Sequence, residues 1–294
     1  YSGLQFTFVG SRAKSTDLTD GTLMIDNSRA FRYWSATFCG VCTPEQRDNQ
    51  NVFLKGTYFL STSGTGSHNM VFGYDNFNDV RNANNHQSGS DYRILGTGTI
   101  VVGTGDGAVV YPVLNGSDNT TRIQYNPIPL DSVGSNFRTH ALFFNDSWRL
   151  SGRLTANLGV RWDKNHGLDQ QGQLTANDSA LSPRLGVVWD PKGDQKYSVT
   201  ASFAKYVTAI SNSIADSASA GGNPQQLRWY YQGPSINTNP AGPLTNTHDA
   251  LVQLFNWFNA NGALNRRPYA DAPVIPGVAQ EIRGWLASPN VLEY

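Results

Sequence analysis

The chain has 294 residues, and its 22 Lys and Arg balance its 22 Asp and Glu to a formal net charge of +0. That balance argues against nucleic acid as a partner, because holding phosphates needs clustered excess Lys and Arg. Hydrophobic residues make up only 39%, mean hydropathy is −0.40, and the lack of a run of about 18 apolar residues excludes a transmembrane helix. A β-barrel escapes that test, because half of each strand is polar.

Residues 3–10 read as a short strand, with Leu4, Phe6 and Phe8 alternating against Gln5, Thr7 and Val9. Residues 11–22 are polar and loop-like. Residues 23–38 hold strand-like pieces of poor alternation around Arg29, Phe31, Tyr33 and Trp34. Cys39 and Cys42 follow, the chain's 2 cysteines. A redox pair would need a helix next, and a zinc site about four ligands. The pair is therefore read as a local disulfide stapling a loop in an oxidising compartment, ahead of redox or metal work and of idle thiols.

Residues 52–60 and 69–77 read as a hairpin around a Gly/Ser-rich turn at 61–68, followed by a polar, solvated loop at 78–90. Residues 92–114 read as two strands of one long hairpin turning at 104–107, and residues 119–130 as strand-like up to Pro127 and Pro129. The alternation does not say which of these would cross a membrane. The glycines of GTGDG lack the Lys-Ser/Thr ending of a phosphate loop.

The stretch 138–206 carries the strongest pattern. Leu154, Ala156, Leu158, Val160 and Trp162 fall on one parity, and Thr155, Asn157, Gly159, Arg161 and Asp163 on the other. Side chains alternate faces along a strand, so one face is apolar and the other polar. Leu185, Val187 and Trp189 repeat this against Arg184, Gly186 and Asp190. So do Tyr197, Val199, Ala201 and Phe203, and Leu142, Phe144, Trp148 and Leu150, the last set interrupted by Asp146. Small polar residues stand where a soluble core would carry Val, Ile and Leu. That is the arrangement of a barrel with lipid outside. The expected lumen-facing polar residues are Asn157, Arg161, Asp163, Arg184 and Asp190, with mutual pairing of the charges weighed above contact with substrate.

Short turns at 151–152 and 191–194 alternate with a longer polar segment at 164–182, as at the two ends of an outer-membrane barrel. Trp148, Trp189 and Tyr197 then flank the short turns and Trp162 the far end, two levels of an aromatic girdle. Residues 207–289 differ in texture. A helix is expected over 249–262, with Leu251, Leu254, Phe255 and Phe258 on one face, Thr247 as N-cap and Gly262 as stop. A second, weaker helix is expected near 278–287. Trp229, Tyr230, Tyr231 and Trp257 are candidates for stacking on substrate, with packing of the loop weighed above that role.

NDSWRLSGRLTANLGVRWD followed by SPRLGVVWDPKGDQKYSVTASFAKY resembles the barrel of TonB-dependent outer-membrane receptors. Within them it is similar to the Oar-type branch, which carries a carboxypeptidase-regulatory-like domain. NVFLKGTYFLSTSGTGSHNMVFGYDNFNDVRNANNHQSGSDYRI and SPNVLEY resemble the same branch. The resemblance covers most of 51–206, with patches on either side. It implies an all-β fold, part of an antiparallel transmembrane barrel of about 22 strands with a plug. It also implies a cell outer membrane location, contact with its lipid, and energy from the TonB complex to move a bulky substrate.

The expected division is a partial barrel with surface loops over 1–206, an extracellular loop region with short helices over 207–292, and the start of a further strand at 293–294. The chain is read as a piece of a longer protein, with the signal peptide, plug, TonB-contacting segment and remaining strands outside it. No GxSxG, HExxH, Walker loop or paired-carboxylate segment occurs, so no catalytic residue, metal ligand or cofactor is expected. The alternative is a secreted, soluble β-rich binding or adhesion protein, with its core on the apolar parity.

Overall fold

The computed structural model describes all residues except 1, 9–16, 35–44, 195, 209, 211 and 279–281. In chain order the first strands are β1 (Ser2–Phe8), β2 (Leu23–Asp26), β3 (Phe31–Tyr33), β4 (Glu45–Thr62), β5 (Gly66–Ala83), β6 (Tyr92–Gly96), β7 (Gly98–Val102), β8 (Val109–Val113) and β9 (Arg122–Tyr125). The later ones are β10 (Ser135–Ser151), β11 (Leu154–Leu168), β12 (Leu174–Ala176), β13 (Ser179–Trp189), β14 (Val199–Val207), β15 (Leu227–Tyr230) and β16 (Asn290–Glu293). Helices α1 (Asn212–Ala218) and α2 (Thr247–Ala260) lie between β14 and β16.

The long strands form one antiparallel wall in the order β1-β4-β5-β10-β11-β13-β14-β16, with β12 paired beside β11. Among the described residues no pairing joins β1 to β16, so the wall is an open part of a barrel. β4 and β5 run for 18 residues each and β10 for 17. Crossing a bilayer takes about 9–11, so these strands are longer than a crossing needs. All the short turns, at 63–65, 152–153 and 190–198, fall at one end. The connections 9–44, 84–134 and 208–289 fall at the other.

Two sequence expectations shift here. The β4–β5 turn is tighter than 61–68, and residues 78–83 belong to β5 rather than to a loop. Likewise most of the 164–182 segment is strand, because β11 continues to Leu168 and pairs with β12. The polar residues there extend the ladder above the apolar band, where water suits both faces.

Register sets the faces. One row across the wall reads Leu54, Tyr74, Leu142, Trp162 and Leu181. Another reads Tyr58, Met70, Asp146, Leu158, Leu185 and Phe203. The apolar parity is exposed, from Leu54 at 61% to Leu181 at 55%. A soluble sandwich would bury that parity in its core, and an exposed band of this kind marks a membrane or partner surface. Trp148, Trp162 and Trp189 lie on it, and Tyr197 stands in the short turn just before β14. From Leu181, the partner of Trp162, to Trp189 the strand runs about 26 Å at ~3.3 Å per residue.

The long connections fold together into a cap. A five-stranded sheet runs β15-β9-β6-β2-β3, so strands from all three connections pair with one another. The 207–292 stretch is thus not a loop region of its own. β2 and β6 pair in parallel. The long hairpin expected over 92–114 is realised only as β7–β8, turned by a 3-10 helix at Gly105–Gly107, because residues 92–96 leave it to pair with β2 and β9 as β6. On one face of the sheet packs α2, whose Ala250, Leu251, Leu254, Phe255 and Phe258 meet Met24, Tyr92, Ile94, Ile123 and Trp229 in a buried core.

Helix α2 appears where the apolar spacing places it, but its N-cap is Asn246, whose side chain accepts from the Asp249 amide. Thr247 instead donates its hydroxyl to the Val110 carbonyl at 3.0 Å. Gly262, at φ 95°, ends the helix in the left-handed region that favours glycine. The second expected helix is absent from the described part of 278–287. Gly284 takes φ 87° there, and Leu286 forms a bridge with Ala176 instead.

Candidate functional site on the inner wall and cap

The polar parity of the wall holds a charged group built across three strands. Asp75 on β5 and Asp163 on β11 both stand opposite Ala141 on β10. Arg161, one pleat below Asp163, gives Nε to its Oδ1 at 2.8 Å and Nη2 to Asp75 Oδ2 at 3.3 Å. Ala141 is fully buried between the two carboxylates. A larger side chain there would occupy the path of the guanidinium. Phe143, the register partner of Arg161, lies over Gly73 and stacks on Phe53 at 5.9 Å.

Arg184 sits on the same face, its guanidinium 4.8 Å from the Tyr206 ring. A hollow of about 240 Å³ opens between Phe53, Phe143, Asn145, Arg161 and Arg184. Asn157, opposite Ser147 and Gly186, is exposed on this face. Asp190 is not on the wall. It lies past the end of β13, and its Oδ1 accepts the Lys192 and Gly193 amides, so its carboxylate shapes the short turn. Asp75 escaped sequence reading because only the register brings it to Arg161.

Above the apolar band, α1 docks against the polar side of the extended strands. Phe137, Ala176 and Ala215 form a small core there with Ile210 and Ile282. Asn212 donates to Asp79 at 3.2 Å, and Arg81 to Asp216 at 3.1 Å. Burial, the largest influence, raises the Asp216 pKa, and Arg81 offsets this only in part. A hollow of about 270 Å³ remains under the helix, lined by Phe77, Asp79, Phe137, Thr139, Asn165 and Asn212. Residues 286–288 are pinned nearby, through the Leu286 amide to Thr175 O and the Ser288 amide to Asp178.

The cap aromatics divide. Trp229 and Tyr231 are wholly buried. Trp229 gives its indole N–H to Arg266 O at 2.9 Å, and Tyr231 its hydroxyl to Pro234 O at 2.6 Å. Of the two roles weighed for them, both take the packing role rather than that of substrate contacts, because their polar tips and their rings are already used. Trp257 is half-buried, edge-on to Tyr231 at 4.9 Å, with Arg266 over its ring. Tyr230 lies on the opposite face of the sheet beside Arg122. Cys39 and Cys42 lie outside the described residues. Among those residues, no three His, Cys, Asp or Glu side chains gather as metal ligands would.

Comparison with known proteins agrees with this architecture. A family model described as TonB dependent receptor-like, beta-barrel matches residues 4–262. The chain is 29% identical over 194 residues to the TonB-dependent transporter Oar of Myxococcus xanthus. That alignment covers 63% of this chain and 17% of the relative, so the chain spans about a sixth of that protein. No solved structure matches significantly.

Proposed function

The chain belongs to the family of TonB-dependent receptor-like β-barrels, and we propose that it supplies wall and surface cap to a transporter moving a bulky substrate across the outer membrane. The family consists of receptors and transporters rather than enzymes, and its barrels lie in the outer membrane. In this reading the apolar parity faces lipid and the Asp75–Arg161–Asp163 parity faces the lumen. The short turns are periplasmic and the cap is extracellular. A plug and the TonB complex, contributed or contacted by other parts of the protein, gate and energise the passage.

One observation carries the reading. Every long connection emerges at one end of the wall, and strands from three of them share a single sheet. Such a cap is too large for a periplasmic turn and suits first contact with a large ligand. Cysteine labelling tests the orientation. In a background carrying Cys39→Ser and Cys42→Ser, intact cells are exposed to a membrane-impermeant maleimide. Thr104→Cys, exposed at the tip of the β7–β8 hairpin, is expected to react. Gly64→Cys, in the open β4–β5 turn, is expected to react only after lysis. The reverse pattern would overturn the proposal. Transport is tested by removal of peptides, proteins and glycans from the medium. Loss of one such class is expected only from energised cells bearing the protein, and equal removal with a protonophore would exclude TonB coupling.

A further inference from the structure

The cap sheet has a second face, turned away from α2, and it is rich in arginine. Register places Arg228, Gln124 and Arg93 in one row across β15, β9 and β6. The adjacent row reads Tyr230, Arg122, Leu95, Ile25 and Arg32. Paired residues share a face, so four guanidiniums project from one side of five strands. Asp271 is the carboxylate that answers them, at 2.9 Å from Arg228 and 3.9 Å from Arg122.

Among the described residues, the other half of the face has no counterpart to Asp271. Arg93 is half-buried, and its Nε is buried with no hydrogen-bond partner. Among the described residues, neither Arg93 nor Arg32 has an ion pair. Burial, and then the charges of Arg32 and Arg228, lower the Arg93 pKa to about 10, with no carboxylate acting on it. Holding like charges together on a partly dry surface costs stability unless a ligand supplies the missing anion. Alternate strands lie about 10 Å apart, so the free guanidiniums suit acidic groups spread along one chain rather than a single small ion.

We propose that this face binds a carboxylate-bearing ligand, an acidic chain whose groups seat on Arg93 and Arg32 as Asp271 seats between Arg228 and Arg122. Arginine's planar fork matches carboxylates in pairs of hydrogen bonds, and Asp271 shows this chemistry already in use on the same face. The proposal rests on the reading of the cap as the outward-facing part of a transporter, and it names the chemistry of what the cap meets first.

Fluorescein-labelled oligoglutamate is the probe, with anisotropy read on the full-length protein in detergent. Binding is expected, weakening with added salt. Arg93→Gln should weaken it roughly tenfold, the worth of one charge-assisted pair. Arg32→Gln should weaken it several-fold. Arg32 is exposed, so its loss cannot be blamed on misfolding. Arg149→Gln, near the short turns of the wall, should bind as the parent does. Equal binding by Arg93→Gln and Arg32→Gln, or displacement of the probe by inorganic phosphate at matched charge, overturns the site. If that happens while the maleimide pattern holds, the transporter reading stands and this site alone fails.

Discussion

His68 Nδ1 and Asp146 Oδ2 meet at 2.7 Å across β5 and β10, on the apolar parity of the wall. Within the run from Leu142 to Leu150, Asp146 is the residue that breaks the apolar alternation, and its register partner on β11 is Leu158. Trp148 stacks on the imidazole at 5.1 Å and gives its indole N–H to Thr65 O in the turn. The pair thus sits near the short-turn boundary, shielded by an aromatic. Removing one partner of a buried pair leaves the other polar group stranded, at about 3–5 kcal/mol. Asp146→Ala is therefore expected to lower the urea midpoint of the refolded barrel. Replacing both, as His68→Phe with Asp146→Leu, should restore stability to near the parent. A double variant no better than the single one would show that the pair contributes something apolar packing cannot replace.

The alternation that separates an apolar face from a polar one is local, and so it was legible in the chain itself. Leu158 and Val187 on one side and Asn157 and Arg161 on the other needed only the period of a strand. Which strand neighbours which was not legible. Asp75 and Arg161 are brought together by pairing through β10, and no short segment encodes that. The cap was still less so. β2 meets β6 in parallel, and β9 meets β15, from connections far apart in sequence. The α2 face was readable from its 3.6-residue spacing, but what it covers was not, so Trp229 and Tyr231 could be weighed but not placed. Asn246 and Thr247 are both good capping residues, and the choice fell to Asn246 because Val110 offered Thr247 another partner.

The apolar face gives a second prediction. Leu158 and Val187 are exposed on the apolar parity, while Asn157 projects to the other side. Arginine near the bilayer midplane costs about 2–4 kcal/mol. Leu158→Arg and Val187→Arg should reduce the heat-modifiable, folded fraction in outer membranes, and Asn157→Arg should leave it unchanged. Equal assembly of the three would show the wall not to be in lipid, and impairment by Asn157→Arg alone would show the faces to be reversed.

The cap core gives a third. Trp229 is packed against Phe258 at 5.2 Å and Tyr269 at 5.4 Å, with its N–H bonded. Truncating a buried aromatic to alanine typically costs about 3–5 kcal/mol. Trp229→Ala should expose the cap to surface protease in intact cells while the wall stays heat-modifiable. Tyr230→Ala, on the opposite face, should leave the cap resistant. If both variants resist equally, the cap is held by its connections to the wall rather than by this core.

Asp216 gives the last prediction, on pH. Its folded pKa is raised, by burial first and by Asp79 as a further cause, with Arg81 and Ser135 opposing. A group that binds its proton more tightly in the docked state favours docking when protonated. That contribution is fully present below the ordinary carboxylate range and is lost as pH rises through the raised value. Hydrogen exchange of the α1 amides, corrected for the intrinsic pH dependence of exchange, should therefore show protection falling from acid toward neutral pH. Asp216→Asn keeps an acceptor for Arg81 and removes the titration, so its protection should stay flat across that range. An unchanged slope in Asp216→Asn would show that Asp216 is not the group responsible. A slope of opposite sign would mean that Arg81 outweighs burial, and that α1 closes over the inner wall more firmly as the pH rises.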